Sequence, residues 1–219
     1  MTRFIAIKTE ESTAVLTMNT PENRHNPEFL AEFNQHLDQI EADKNIKSVV
    51  LTSNSEKNWS LGIDLEWMAN TSNTPETIAG FMSDVTALLK RIVTFPMPII
   101  AALNGHTFGN GAVLACACDF RLMKSDKGFF CFPEVDVMVP FLPSMFPIIN
   151  KAIPQAFFNR LAMSGMRVGA QQFNKNRWIY AQNKTQMNKQ IVLTMETEDP
   201  IFIDNISKLL WKNLQQKQF

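Results

Sequence analysis

The stretch Asn104–Phe120, NGHTFGNGAVLACACDF, sets three glycines in a polar turn and then runs directly into apolar residues. Gly105, Gly109 and Gly111 permit backbone angles that other residues avoid. A glycine turn that opens a helix leaves the first N–H groups of that helix without an acceptor, aimed at whatever lies beyond. One guest for such amides is a phosphate, another is a carbonyl oxygen on which negative charge develops. The stretch lacks the Lys-Ser/Thr ending of a phosphate loop and does not spell the dinucleotide fingerprint GxGxxG. A second turn of the same kind, WSLGIDL over Trp59–Leu65, also passes through a glycine, Gly62, into helical sequence. Two turns can supply a pair of backbone donors. Each one alone is equally served by tight packing of the chain.

Outward from this stretch, the strands and helices alternate. RFIAIKT (Arg3–Thr9) and TAVLTMN (Thr13–Asn19) read as a hairpin turning at Glu10–Ser12. Asn26, Pro27 and Glu28 open a helix as cap, first residue and dipole partner, and Phe29, Leu30, Phe33, Leu37 and Ile40 make its apolar stripe. KSVVLTSN (Lys47–Asn54) is a short buried strand, and Thr74, Pro75 and Glu76 open a second long helix. MPIIAALN (Met97–Asn104) is a strand leading into the quoted turn; FRLMKS (Phe120–Ser125) and KGFFCF (Lys127–Phe132) read as strands after it. From Pro143 the pattern is helical: Ser144–Pro154, Gln155–Gly165, Gly169–Trp178, a polar linker over Gln182–Gln190, and an amphipathic helix over Ile201–Leu214. The order predicts an α/β fold, divided into a core over residues 1–142 and a helical C-terminal region over 143–219.

Composition narrows the class of function. In 219 residues, 21 basic side chains balance 21 acidic ones, which gives no electrostatic case for nucleic acid or an anionic membrane. The opening MTRFIAIKTE is too polar for a signal peptide, and no apolar run reaches the roughly 20 residues of a membrane span. A soluble cytoplasmic protein is expected. Cys116, Cys118 and Cys131 are odd in number, and the CAC pair has neither the spacing nor the histidine of a zinc site. They read as buried thiols; no metal and no cofactor are expected.

Taken together, the quoted segments resemble the crotonase, or enoyl-CoA hydratase/isomerase, superfamily. The likeness runs over residues 4 to 165, through Val15–Leu30, Ser60–Met68, Pro98–Leu122 and Phe129–Val135. It implies a spiral of ββα units, a shortened helical C-terminal region, assembly as a homotrimer or hexamer, and an acyl-CoA substrate whose coenzyme is part of the substrate. In that family two backbone N–H groups grip the thioester oxygen; the matching positions here are taken as Leu61 and Asn110. Arg24, Gly62, Ile63, Asp64, Gly109 and Val113 match positions around the CoA ester.

Hydration in this family uses two glutamates. The first position falls on Val113, which cannot accept a proton, and the second on Glu134. A single carboxylate suits the shift of a double bond, as in Δ3,Δ2-enoyl-CoA isomerases. A base takes a C2 proton beside the thioester and returns it at C4, with the intermediate charge held on oxygen. The alternatives are a non-catalytic acyl-CoA binder and another crotonase activity, such as a hydratase or thioester hydrolase. The chain departs from the family at Asn110 and Met138, both commonly glycine; the Asn110 side chain is expected to approach the thioester, and Met138 to alter the pocket floor. Asp64 is also expected to cap its helix, His25 to sit in a solvated loop, His106 to pack, and Asp136 to lie beside Glu134. No Ser–His–Asp order suggests a hydrolase triad.

Overall fold

In a computed structural model, which describes residues 4–70, 74–170, 186, 189–197 and 199, the chain forms two compact units, Met1–Gln172 and Phe173–Phe219. The first is built on a five-stranded sheet. Strands β1 (Ile5–Glu10) and β2 (Thr13–Met18) form the expected antiparallel hairpin, with Ile5 opposite Met18. From β2 the sheet grows in parallel through β4 (Ser48–Ser53), β7 (Ile99–Leu103) and β9 (Phe120–Met123), in the order β1-β2-β4-β7-β9. Every second residue of β2 and β4 is buried, Leu16 beside Leu51 among them, as the period of a strand requires.

Parallel neighbours need a crossover, and each crossover here repeats one plan. The chain leaves the large sheet, adds a very short strand to a second layer, and returns through a helix. β2 leads to β3 (Arg24–His25) and α1 (Pro27–Ala42); β4 leads to β5 (Asn58–Ser60), β6 (Gly62–Ile63), α2 (Leu65–Met68) and α3 (Pro75–Val93). β7 leads to β8 (His106–Phe108) and α4 (Asn110–Ala117), and β9 to β10 (Phe130–Cys131) and α5 (Glu134–Val137). The short strands pair in parallel as β10-β8-β5 and β3-β6. This is the expected spiral of strand-strand-helix units. Because short strands lead into α1, α2, α4 and α5, the second layer lies next to the starts of these helices.

Local chemistry fixes the helix starts. The Asn26 side chain accepts from the Phe29 amide and Pro27 is the first residue of α1, whose buried face is the predicted stripe with His36 added. Thr74 caps α3 in the same way, accepting from Thr77. All eight residues of α4 are buried, so this helix has no solvent face and its apolar composition follows. Cys116 and Cys118 are buried as expected; loss of solvation pushes both thiols up to about 12, which removes thiolate reactivity near neutral pH.

Helices α6 (Met145–Ala152) and α7 (Gln155–Ser164) follow the spiral within the first unit, and α6 packs on α4. In the second unit, α8 (Lys189–Thr197) forms where the polar linker was expected to end, with Val192 and Leu193 exposed. The amphipathic helix expected over Ile201–Leu214, and most of that over Gly169–Trp178, lie outside the described residues. Among the described residues, no helix is long and apolar enough to cross a membrane.

Candidate functional site

A cavity of about 370 Å³ opens where the second layer meets the helix starts. Its wall takes Leu61 and Ile63 from the first glycine turn, Gly109 and Asn110 from the second, and Glu134 from the start of α5. Successive turns of the spiral bring these residues together although they are far apart in sequence.

The two glycine turns touch. Gly62 has φ +83°, and a Cβ there would lie 2.7 Å from the Asn110 amide nitrogen and 2.8 Å from the Phe108 carbonyl oxygen. Only glycine adopts this angle and this approach at low cost. Gly109, at φ +54°, is the N-cap of α4 and brings no side chain to it. The Asn110 amide is thus the first of the helix, where no intrahelical acceptor exists, and it lies at the positive end of the helix dipole.

Leu61 was expected to offer the partner amide. Its N–H instead donates to the Glu22 carbonyl at 2.9 Å, so that donor is held by the segment before β3. Gly62 N–H donates to Ser60 Oγ at 3.1 Å and Asp64 N–H to the His25 carbonyl at 2.9 Å. Between them lies the Gly62–Ile63 peptide, next to Asn110, with Ile63 on the cavity wall.

Glu134 follows Pro133 at the beginning of α5. Its Oε1 lies over the second turn, 3.8 Å from where a Cβ on Gly109 would be, and its Oε2 is buried without a hydrogen-bond partner. Burial raises the carboxyl to about 7, against a smaller lowering from a backbone hydrogen bond. A carboxyl poised near neutrality can both take and return a proton. Asp136 borders the same cavity but is exposed.

The other positions nominated from the sequence divide. Arg24 lines the cavity and is ion-paired to Glu22, Nε to Oε2 at 2.6 Å. Asp64 caps α2, accepting from Trp67 N–H at 3.0 Å, and borders with Arg24 a neighbouring cleft rather than this cavity. Gly62 is buried beneath the wall. Val113, one turn into α4, is fully buried and does not line the cavity. Met138 does not form the pocket floor: it ends α5 in the left-handed conformation, φ +56°, and is 89% exposed. A glycine is the usual occupant of such a helix end, which accounts for the family's glycine there without involving the cavity.

His25 is buried at 1% exposure, contrary to its expected place in a solvated loop, because β3 lies in the second layer and its ring stacks on Phe29 at 4.6 Å. The Asn110 side chain likewise turns inward, its Nδ2 lying 2.8 Å from His25 Nδ1. His106 packs as expected, stacked on Phe129 and accepting from its amide at 3.2 Å. Sequence reasoning missed Arg167, whose guanidinium lies over the Phe108 ring at 5.4 Å on the cavity wall. The Val168–Phe130 bridge carries it there, a pairing with no local signature. Among the described residues, no group of three or more His, Cys, Asp or Glu converges to hold a metal ion.

Comparisons with known proteins find relatives of this chain. The sequence pattern defining enoyl-CoA hydratases/isomerases matches residues 8–193. The peroxisomal enoyl-CoA delta isomerase 2 of Arabidopsis thaliana is 30% identical over 153 residues, covering 67% of this chain and 63% of that protein. The (E)-benzylidenesuccinyl-CoA hydratase of Thauera aromatica is 28% identical over 173 residues, covering 77% of this chain and 65% of its own. The chain thus spans somewhat less than two thirds of either relative. The crystal structure of an enoyl-CoA hydratase from Polaromonas sp. JS666 superposes with a TM-score of 0.69 at 29% identity, over 78% of this chain and 66% of that one.

Proposed function

This chain belongs to the enoyl-CoA hydratase/isomerase family, and we propose that within it the protein shifts a double bond in an acyl-CoA thioester, with Glu134 as the only proton carrier. The observation that carries the reading is the Glu134 carboxyl, over the Gly109–Asn110 turn and raised by burial to about 7, with aliphatic, buried Val113 at the position the family resemblance gives to a hydratase's other glutamate.

In the proposed reaction the thioester oxygen of a 3-enoyl-CoA rests against the Asn110 amide. The second donor is the Gly62–Ile63 peptide, because the Leu61 amide is engaged by Glu22. Ionised Glu134 removes a proton from C2. The electron pair left behind spreads over the thioester oxygen and C4, and the two amides stabilise the charge on oxygen. A preorganised donor of this kind is worth about 10²–10³ in rate. The now neutral carboxylic acid returns the proton to C4, giving the 2-enoyl-CoA and restoring the base. No water enters the chemistry.

The test is turnover of 3-hexenoyl-CoA, coupled to a hydratase and a 3-hydroxyacyl-CoA dehydrogenase. Wild type is expected to give NADH, and Glu134→Gln to lose at least about 10²-fold in rate while still binding the ester. Full turnover in that variant rejects the assignment. A hydratase reading has one observation in its favour, the second carboxylate of Asp136 on the same cavity. Coupled product from 2-hexenoyl-CoA, without added hydratase and lost in Asp136→Asn, would support that reading instead.

A further inference from the structure

Beneath the two glycine turns runs a chain of buried hydrogen bonds whose direction is fixed at one end. Ser60 Oγ lies 2.8 Å from the Asn23 carbonyl oxygen, which can only accept, so the hydroxyl proton goes there. The same Oγ accepts from Gly62 N–H at 3.1 Å. His25 Nε2, 3.0 Å from Oγ, must therefore be the donor of that pair. A neutral ring protonated on Nε2 accepts at Nδ1, which is where the Asn110 side-chain NH2 donates at 2.8 Å. Burial of the ring, which holds His25 down at about 3, keeps it neutral at any physiological pH.

The chain joins the residues that carry both cavity turns: Asn110 on one side, and Gly62, through Ser60, on the other. It also leaves Asn110 Oδ1 buried without a partner. An unpaired buried acceptor lowers stability, so this side chain is not explained by stability alone. Such a group in a native structure calls for an explanation.

We propose that Asn110, His25 and Ser60 are positioning residues: their hydrogen-bonded chain sets the distance between the amides of the two glycine turns, and so the fit of the cradle to a thioester oxygen. The inference rests on the cradle described under Proposed function. It assigns the Asn110 side chain to the scaffold behind the cradle rather than to the substrate in front of it.

Two readouts test it. Cinnamoyl-CoA absorbs further to the red when its thioester oxygen receives hydrogen bonds, whether or not it is turned over. Wild type saturated with this ester is expected to show a red shift. Asn110→Ala and His25→Phe, which keeps the ring stack on Phe29, are expected to lose most of it with less than about a threefold change in Kd. In the 3-hexenoyl-CoA assay each variant is expected to lose roughly 10- to 100-fold in kcat with KM little moved, the scale on which small misplacements act. The double variant is expected to be no worse than the poorer single one, since both break one chain.

A full red shift and unchanged kcat in both single variants overturn the inference and leave the isomerase reading standing. Losses that multiply in the double variant also overturn it. Absence of a red shift in wild type overturns the cradle, and this inference with it. A red shift without wild-type turnover rejects the isomerase reading alone, and the spectral comparison then decides the positioning role. Circular dichroism of each variant guards against misfolding; if His25→Phe does not fold, Asn110→Ala and Ser60→Ala make the same spectral comparison.

Discussion

The Glu134 carboxyl lies directly over Gly109 on the cavity wall: its Oε1 is 3.8 Å from the point a Cβ on Gly109 would occupy. Bare backbone thus lies opposite the base. In the proposed reaction, the carboxyl reaches the carbons that lose and gain the proton with no side chain from this turn in the way.

The first prediction concerns pH. Glu134 must be ionised to begin the reaction, and burial raises it to about 7. Isomerase kcat/KM is therefore expected to rise about tenfold per pH unit below 7 and to level off above it. Initial rates with 3-hexenoyl-CoA from pH 5.5 to 9 measure this. A profile already flat at pH 5.5 would mean that another group is the base.

The same shift has a consequence for stability, of opposite sense to activity. The folded-state value lies above the ordinary 4.5 of a glutamate. The unfolded chain loses this proton first as pH rises, so stability falls between about 4.5 and 7 and the full cost is present above 7. Glu134→Gln removes the ionisation and should be more stable than wild type at pH 8, by at most roughly 3 kcal/mol. It should gain nothing at pH 4. Urea midpoints of the two proteins at both pH values check the crossover.

The sequence reveals the long elements because their signals are local. Asn26 and Pro27 mark the start of α1, Thr74 and Pro75 that of α3, and alternating burial marks β2 and β4. The second layer is illegible for the opposite reason. β3, β6 and β10 are two residues long, too short for any period, and exist only through pairing with distant segments. This hides the burial of His25, whose partner Asn110 is 85 positions away. Glu134 and Asn110, nominated from the pattern around them, both lie on the cavity wall. That the Leu61 amide is engaged could not be read locally, since it depends on the Glu22 carbonyl, 39 positions away in the chain.

Gly62→Ala supplies a third prediction. The new methyl would meet two backbone atoms at 2.7 and 2.8 Å, in a conformation with φ +83°. Neither obstacle is the movable end of a side chain. Left-handed strain and overpacking together suggest a loss of about 2–5 kcal/mol. Gly80→Ala, where a Cβ meets nothing within 4 Å and the position is in the exposed part of α3, should change stability little or raise it. Thermal melts of the two variants make the comparison.

Acid lability follows from His25. Its folded-state value of about 3 lies below the ordinary 6.5, so the unfolded chain takes up this proton first. Its contribution to stability is complete above about 6.5 and is lost as pH falls toward 3, by as much as about 1.4 kcal/mol per pH unit. His25→Phe should flatten this part of the pH dependence while being less stable than wild type at pH 7. Equal slopes in the two proteins between pH 6.5 and 4 would show that His25 is not held neutral.

Helix α4 has no surface of its own; every residue from Asn110 to Ala117 is enclosed by the rest of the first unit. A helix so encased cannot shift or fray by itself, and the amide at its mouth inherits that immobility. The geometry needed for chemistry and the cooperative melting of the interior then become a single event. Heating should abolish turnover at the temperature where the whole unit comes apart, with no earlier softening of the active centre.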